Sequence, residues 1–181
     1  MPPSQRLNRL MHKNLQRSRI PRMRVPKTFL FTFILLIGGL FFAQQDKDRV
    51  VRVHDGDTIT VLRKGSFEKI RLYGIDSPES DQPGGSEARN FASNLAFMEE
   101  VQVTTLDLDQ YGRAVALVQL PDGRLLNEEL LRNGQAWVYR AYCKELWCPG
   151  WIGLERKAKQ QKAGLWAQKK PVPPWEWRKR R

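Results

Sequence analysis

Histidine is scarce in this chain, with His12 and His54 alone among 181 residues, and cysteine is equally scarce, with Cys143 and Cys148. Zinc sites draw on those two side chains, and neither histidine lies near the cysteines in sequence, so a zinc centre is disfavoured. Acidic residues are almost missing from both ends. Residues 1–45 hold eight Lys/Arg and no Asp or Glu, and residues 156–181 hold ten Lys/Arg against Glu176 alone. The stretch between, 46–155, holds 13 basic and 18 acidic residues, within a formal net charge of +12 for the chain. A mildly acidic body between basic ends fits a cation site in the body and polyanions at the ends. Charge alone fits ordinary solvated surface equally well. There is no internal repeat. The length leaves room for one compact domain plus appendages, and the ordinary composition argues against wholesale disorder.

A comfortably long hydrophobic run is also lacking. Phe29–Ala43 (FLFTFILLIGGLFFA) is free of charge for 15 residues. With Thr28 it makes about 24 Å of helix, short of the ~30 Å hydrocarbon core, so it fits both a spanning anchor and a signal-peptide core. The long basic stretch before it, and Phe41 where a cut after Ala43 wants a small side chain, favour an uncleaved anchor over residues 28–43. The positive-inside rule then puts residues 1–27 in the cytoplasm and the rest outside. The expected location is the inner membrane, single-pass with a periplasmic domain, or export if the segment is cleaved. In an oxidising compartment Cys143 and Cys148, with four residues between them, would close a small loop as a disulfide; two unrelated free thiols are the alternative.

The body, residues 46–166, opens with β-type runs at Arg49–His54, Thr58–Arg63 and Lys69–Ile75. Asp55-Gly56 between the first two is a hairpin signal. After a polar Pro/Gly-rich loop, Ser86 is placed to cap a helix reaching about Glu99, with Phe91, Leu95 and Met98 at helical spacing. Val101–Leu106 and Arg113–Leu120 read as strands, a short helix begins at Asn127 and ends at Asn133-Gly134, and a last helix covers Trp151–Ala163. The expected class is α+β, a five-stranded OB-fold barrel with about three helices. Residues 167–181 form a basic Pro/Trp-rich tail, a strap or arm outside the core.

Two short motifs carry the candidate chemistry. DGDT (55–58) and IDSPE (75–79) bring carboxylates close together, and neighbouring carboxylates tolerate one another best around a hard divalent cation. Asp57 and Asp76 are the natural pair, with the Ser77 carbonyl exposed by the following proline as a further ligand. Arg71 and Arg113 suit phosphate through their planar forks. A cation, two arginines and a proton-accepting carboxylate such as Glu79 are what phosphodiester hydrolysis needs. Strand parity opposes part of this: Arg71 and Asp76 point to opposite faces of an ideal strand and converge only if it breaks near Gly74. Tyr111 and Tyr139 are candidates for stacking on a base, with ordinary half-buried aromatics equally open; Trp137 reads as core.

VHDGDTITV, IRLYGIDSPE, DQYGRAVALV and LLNEELLRNGQAWV, in this order and spacing, resemble the thermonuclease (micrococcal nuclease-like) family over roughly residues 49–166. The resemblance implies an OB-type barrel with helices, calcium as cofactor, and cleavage of DNA and RNA phosphodiesters, often leaving 3′-phosphates. It makes Asp57, Asp76 and the Ser77 carbonyl the calcium ligands, Arg71 and Arg113 the phosphate-binding pair, and Glu79 the general base. Asp55 is expected to support its loop. The expected partners are nucleic acid and, through the N-terminal segment, a membrane; no protein partner is expected. The alternative is a non-catalytic OB-fold module that binds nucleic acid at a membrane surface without cutting it.

Overall fold

A computed structural model describes residues 47–180. The basic stretch 1–27 and the hydrophobic segment 28–43 lie outside the described residues; among those described, no helix is long and apolar enough to cross a membrane.

Five strands, β1 (Asp48–Val53), β2 (Thr58–Arg63), β3 (Ser66–Leu72), β5 (Glu100–Leu108) and β6 (Ala114–Gln119), close into a barrel in the order β1-β2-β3-β6-β5. All neighbours are antiparallel except β3 and β6, which run parallel with Arg71 opposite Val115. Side chains alternate across a strand. Ile70, Leu72, Ala116 and Val118 therefore fill the interior with Val50, Ile59, Val61 and Val101, while Arg71 faces outward. One end is tied by Arg63. Its guanidinium binds Asp48 (3.0 and 2.8 Å), Glu68 (3.2 Å) and the Val103 carbonyl (3.2 Å), linking β1, β3 and β5 to its own strand.

The third run expected from sequence, Lys69–Ile75, is not one strand. Strand β3 stops at Leu72, the chain turns through Gly74 at φ +69°, and a two-residue β4 (Ile75–Asp76) pairs with β7 (Trp137–Val138) outside the barrel. A side chain at Gly74 would meet the Trp151 ring at 2.9 Å and Cys143 Sγ at 3.0 Å, so both conformation and space call for glycine. The turn is pinned by Asn127, fully buried on α2 (Leu126–Arg132). Its amide donates to the Tyr73 carbonyl (3.1 Å) and the Ala116 carbonyl (3.3 Å) and accepts from Val118 N–H (3.1 Å).

Helix α1 (Gly85–Ala96) corrects two sequence expectations. Its N-cap is Gly84 in the left-handed region, with no side-chain cap, so Ser86 lies inside the first turn. Its buried face is Ala88, Ala92 and Ala96, with Phe91 and Leu95 half-buried beside it and Met98 past the end and exposed. Small side chains at this spacing let the helix lie close to the barrel. Helix α2 starts one residue before Asn127 and ends at Arg132, with Asn133 as its C-cap and Gly134 at φ +65° closing it. Helix α3 spans Cys148–Gln160, with Pro149 in its first turn; it begins earlier than Trp151 and ends short of Ala163. Cys143 and Cys148 are disulfide-bonded, with Cα atoms 5.7 Å apart. Among the described residues a fourth helix, the single turn α4 (Pro174–Trp177), lies in the tail beside the three of the body.

Candidate active site

The β1–β2 turn and the segment after β4 come together because nothing stands between them. A Cβ on Gly56 would lie 2.6 Å from Ser77 Oγ and 2.9 Å from the Ala88 Cβ, so glycine is what lets the DGD turn rest on the Asp-Ser-Pro-Glu loop. Asp55 Oδ1 accepts the Asp57 N–H at 3.0 Å, an Asx-type bond that holds the turn. Asp57 is then 1 % exposed and Asp76 0 %. Both carboxylates converge on one guanidinium: Arg71 donates from Nη1 to Asp57 and from Nη2 to Asp76 at 2.5 Å. The break at Gly74 is what resolves the parity conflict. By ending the strand, it frees Asp76 to turn back onto the face that carries Arg71.

Asp57 also accepts from the Ser77 N–H at 2.5 Å and from Thr58 Oγ1 at 3.1 Å. Burial pushes its carboxyl well above the usual carboxylate range, against the opposing pull of Arg71. Arg71 stays charged because Asp57 and Asp76 together outweigh its own burial. The Ser77 hydroxyl donates to the Gln135 carbonyl at 3.1 Å. An all-oxygen pair of buried carboxylates is the donor set of a hard cation, and burial gives it a reason to hold one. Among the described residues no three His, Cys, Asp or Glu side chains gather into a metal-binding group. A cation here would rest on Asp57 and Asp76, completed by carbonyl and solvent oxygens.

Glu79 follows on the same loop, held by its backbone. Its N–H donates to Gln82 Oε1 (3.2 Å), its carbonyl accepts from Gln82 N–H (3.0 Å), and a Cβ on Gly85 would sit 1.9 Å from that carbonyl. Gln82 and Gly85 are thus site residues that the sequence reading missed. The Gly-Gly pair at 84–85 was the only available signal, since a loop packed on a helix start needs residues without side chains there.

The remaining candidates separate. Arg113 stands just before β6, two residues ahead of Val115, the partner of Arg71. Its guanidinium is engaged by Asp109 (2.5 Å) and lies 5.5 Å from the Tyr111 ring centre. The arginine expected to share phosphate with Arg71 is therefore tied into the β5–β6 turn. Tyr111 is 75 % exposed at that turn. Tyr139 lies elsewhere, after β7, and Trp175 stacks on it with ring centres 5.4 Å apart and planes 2° from parallel. Trp137 is buried and packs edge-on against Trp166. A third arginine enters the cluster from the tail. Arg178 donates to Asp76 (2.8 and 3.2 Å) and to Glu79 (2.6 Å). No motif announced it.

The family model described as staphylococcal nuclease homologue matches residues 69–168. An uncharacterized endonuclease of Escherichia coli O157:H7 is 43 % identical over 133 residues, covering 74 % of this chain and 85 % of the relative. A micrococcal nuclease of Shigella flexneri is 39 % identical over 141 residues, covering 74 % and 80 %. An uncharacterized endonuclease of Haemophilus influenzae is 32 % identical over 159 residues, covering 86 % and 87 %. With the barrel and this constellation in place, the chain belongs to the staphylococcal nuclease homologues and is, with them, a phosphodiester hydrolase.

Proposed function

We propose that the protein is a calcium-dependent nuclease that hydrolyses the phosphodiester bonds of DNA, RNA or both. The observation that carries this reading is the convergence of buried Asp57 and Asp76 on Arg71, with Glu79 on the same loop. Calcium, when bound by those two carboxylates and the Ser77 carbonyl, would supply positive charge for the phosphoryl oxygens. Arg71 turns its fork from the carboxylates to a non-bridging phosphate oxygen and stabilises the charge gathering there. Glu79 accepts a proton from water as the water oxygen bonds to phosphorus; the bond to the departing sugar oxygen breaks, and that oxygen takes a proton from solvent. Arg113 joins by exchanging Asp109 for phosphate. Tyr111 and Tyr139 offer ring faces to bases. The same reading puts this domain outside the cytoplasm, held at a bacterial-type inner membrane by residues 28–43 or released if that segment is cut.

The test is cleavage of single-stranded DNA and RNA by the full-length protein, with calcium or with chelator, beside Glu79→Gln. The expected outcome is calcium-dependent cutting of at least one polymer and a fall in kcat of about 10²–10⁴-fold in the variant, the usual weight of a general base. Intact polymers after incubation with the calcium-loaded parent would falsify the enzyme reading. Calcium-independent binding without cutting would identify a binding module instead.

A further inference from the structure

The tail does not leave the domain as a free arm. It crosses the site just described and is held at three points. Buried Gln82, which also takes the Glu79 N–H, donates from Nε2 to the Val172 carbonyl at 2.6 Å. Trp175 lies flat on Tyr139 at 5.4 Å. Arg178, 38 % exposed, forks over both oxygens of Asp76 and reaches Glu79. An aromatic ring thus covers the tyrosine offered to a base, and a positive charge covers the carboxylates offered to a cation and to water.

Those positions are mutually exclusive in charge and in space. A carboxylate oxygen that accepts a guanidinium N–H faces a second positive charge only with repulsion between the two cations. A Glu79 carboxylate engaged by Arg178 has its acceptor oxygen occupied. A base cannot enter between two rings in stacking contact. The seat is also of the kind that opens. The tail helix is one turn long, Pro171, Pro173 and Pro174 confine its flexing to few bonds, and Trp177 Nε1 is buried without a hydrogen-bond partner among the described residues.

We propose that residues 171–180 are a built-in plug, with Arg178 standing in for the cation and Trp175 for a nucleobase, displaced when calcium and nucleic acid bind. This rests on the reading of Asp57 and Asp76 as cation ligands. The full-length protein is titrated calorimetrically with calcium chloride alone, as the parent and as Arg178→Gln. Amide hydrogen exchange of residues 172–178 is followed in the parent before and after calcium with a phosphorothioate oligonucleotide. The variant is expected to bind calcium on the order of tenfold more tightly, the equivalent of one charge-assisted hydrogen bond no longer to be broken. Trp175→Ala should shift oligonucleotide affinity in the same direction, and the 172–178 amides of the parent should lose protection on loading. Equal or weaker calcium binding by Arg178→Gln overturns the plug and makes Arg178 a partner of the loaded site. So does a tail that stays protected in the loaded protein. If neither parent nor variant binds calcium, the cation-site reading falls and the plug falls with it, an outcome distinct from equal binding by both.

Discussion

At the scale of single residues, Asp57 shows what the site costs the fold. Its carboxyl is buried and its proton is held more firmly in the folded chain than in the unfolded one, chiefly because burial penalises the charge. A group shifted in this direction destabilises the native state when it ionises. The penalty is absent below the unfolded value of about 4, grows as pH rises from there to the folded value, and is complete above it. Asp57→Asn should therefore be more stable than the parent in chelator, with an advantage that widens as pH rises above ~4. Denaturant melts at several pH values measure it; a constant difference across that range would show that the charge is fully compensated. Asp57, Asp76 and Glu79 were legible in the sequence because close carboxylates need a reason to be close. Arg113 was half legible: its planar fork marks it as suited to phosphate, while its pairing with Asp109 comes from a turn whose geometry no spacing rule fixes. Arg178 was illegible, since its partners lie 99 and 102 residues away and its neighbours in the chain read as plain basic tail.

At the scale of elements, the interruption at Tyr73-Gly74 matters more than any one strand. Periodicity saw a single run over Lys69–Ile75, because β-type side chains continue through it. Only the glycine hinted at a break, and only the structure shows that β4 changes partner to β7. The same local blindness put the N-cap at Ser86, where polarity was right, and missed Gly84, where the backbone required it. Asn127 sits at the junction of both halves. Leucine there would fill the space, take the side-chain partner from the Tyr73 carbonyl and the Val118 N–H, and leave the Ala116 carbonyl with the Tyr73 N–H alone. Asn127→Leu is expected to lose about 2–5 kcal/mol of stability, the range for orphaning buried polar groups. Equilibrium unfolding in urea measures the loss, and a value under ~1 kcal/mol would mean that the turn repairs its own hydrogen bonds.

At the scale of the whole domain, the five strands, the helix after the third and the barrel class were readable from patterning, because each follows from short-range rules that agree with one another. The class of chemistry was read from particular side chains and the family they resemble. What patterning could not give was how the tail returns, since a strap of prolines and tryptophans has no period. The two-strand β4–β7 ribbon has a consequence of its own. Asp57 and Arg71 ride on the barrel, whereas Asp76 rides on a ribbon joined to it through a glycine turn and backed by Trp151 and the Cys143–Cys148 loop. Two bodies of unequal cooperativity need not melt together, and short elements open at lower free energy than a closed barrel. On heating, catalysis should fade several degrees before the barrel's circular-dichroism signal does, and should return fully on cooling from that interval. The enzyme's upper working temperature would then be set by a four-residue ribbon, while its survival is set by the barrel.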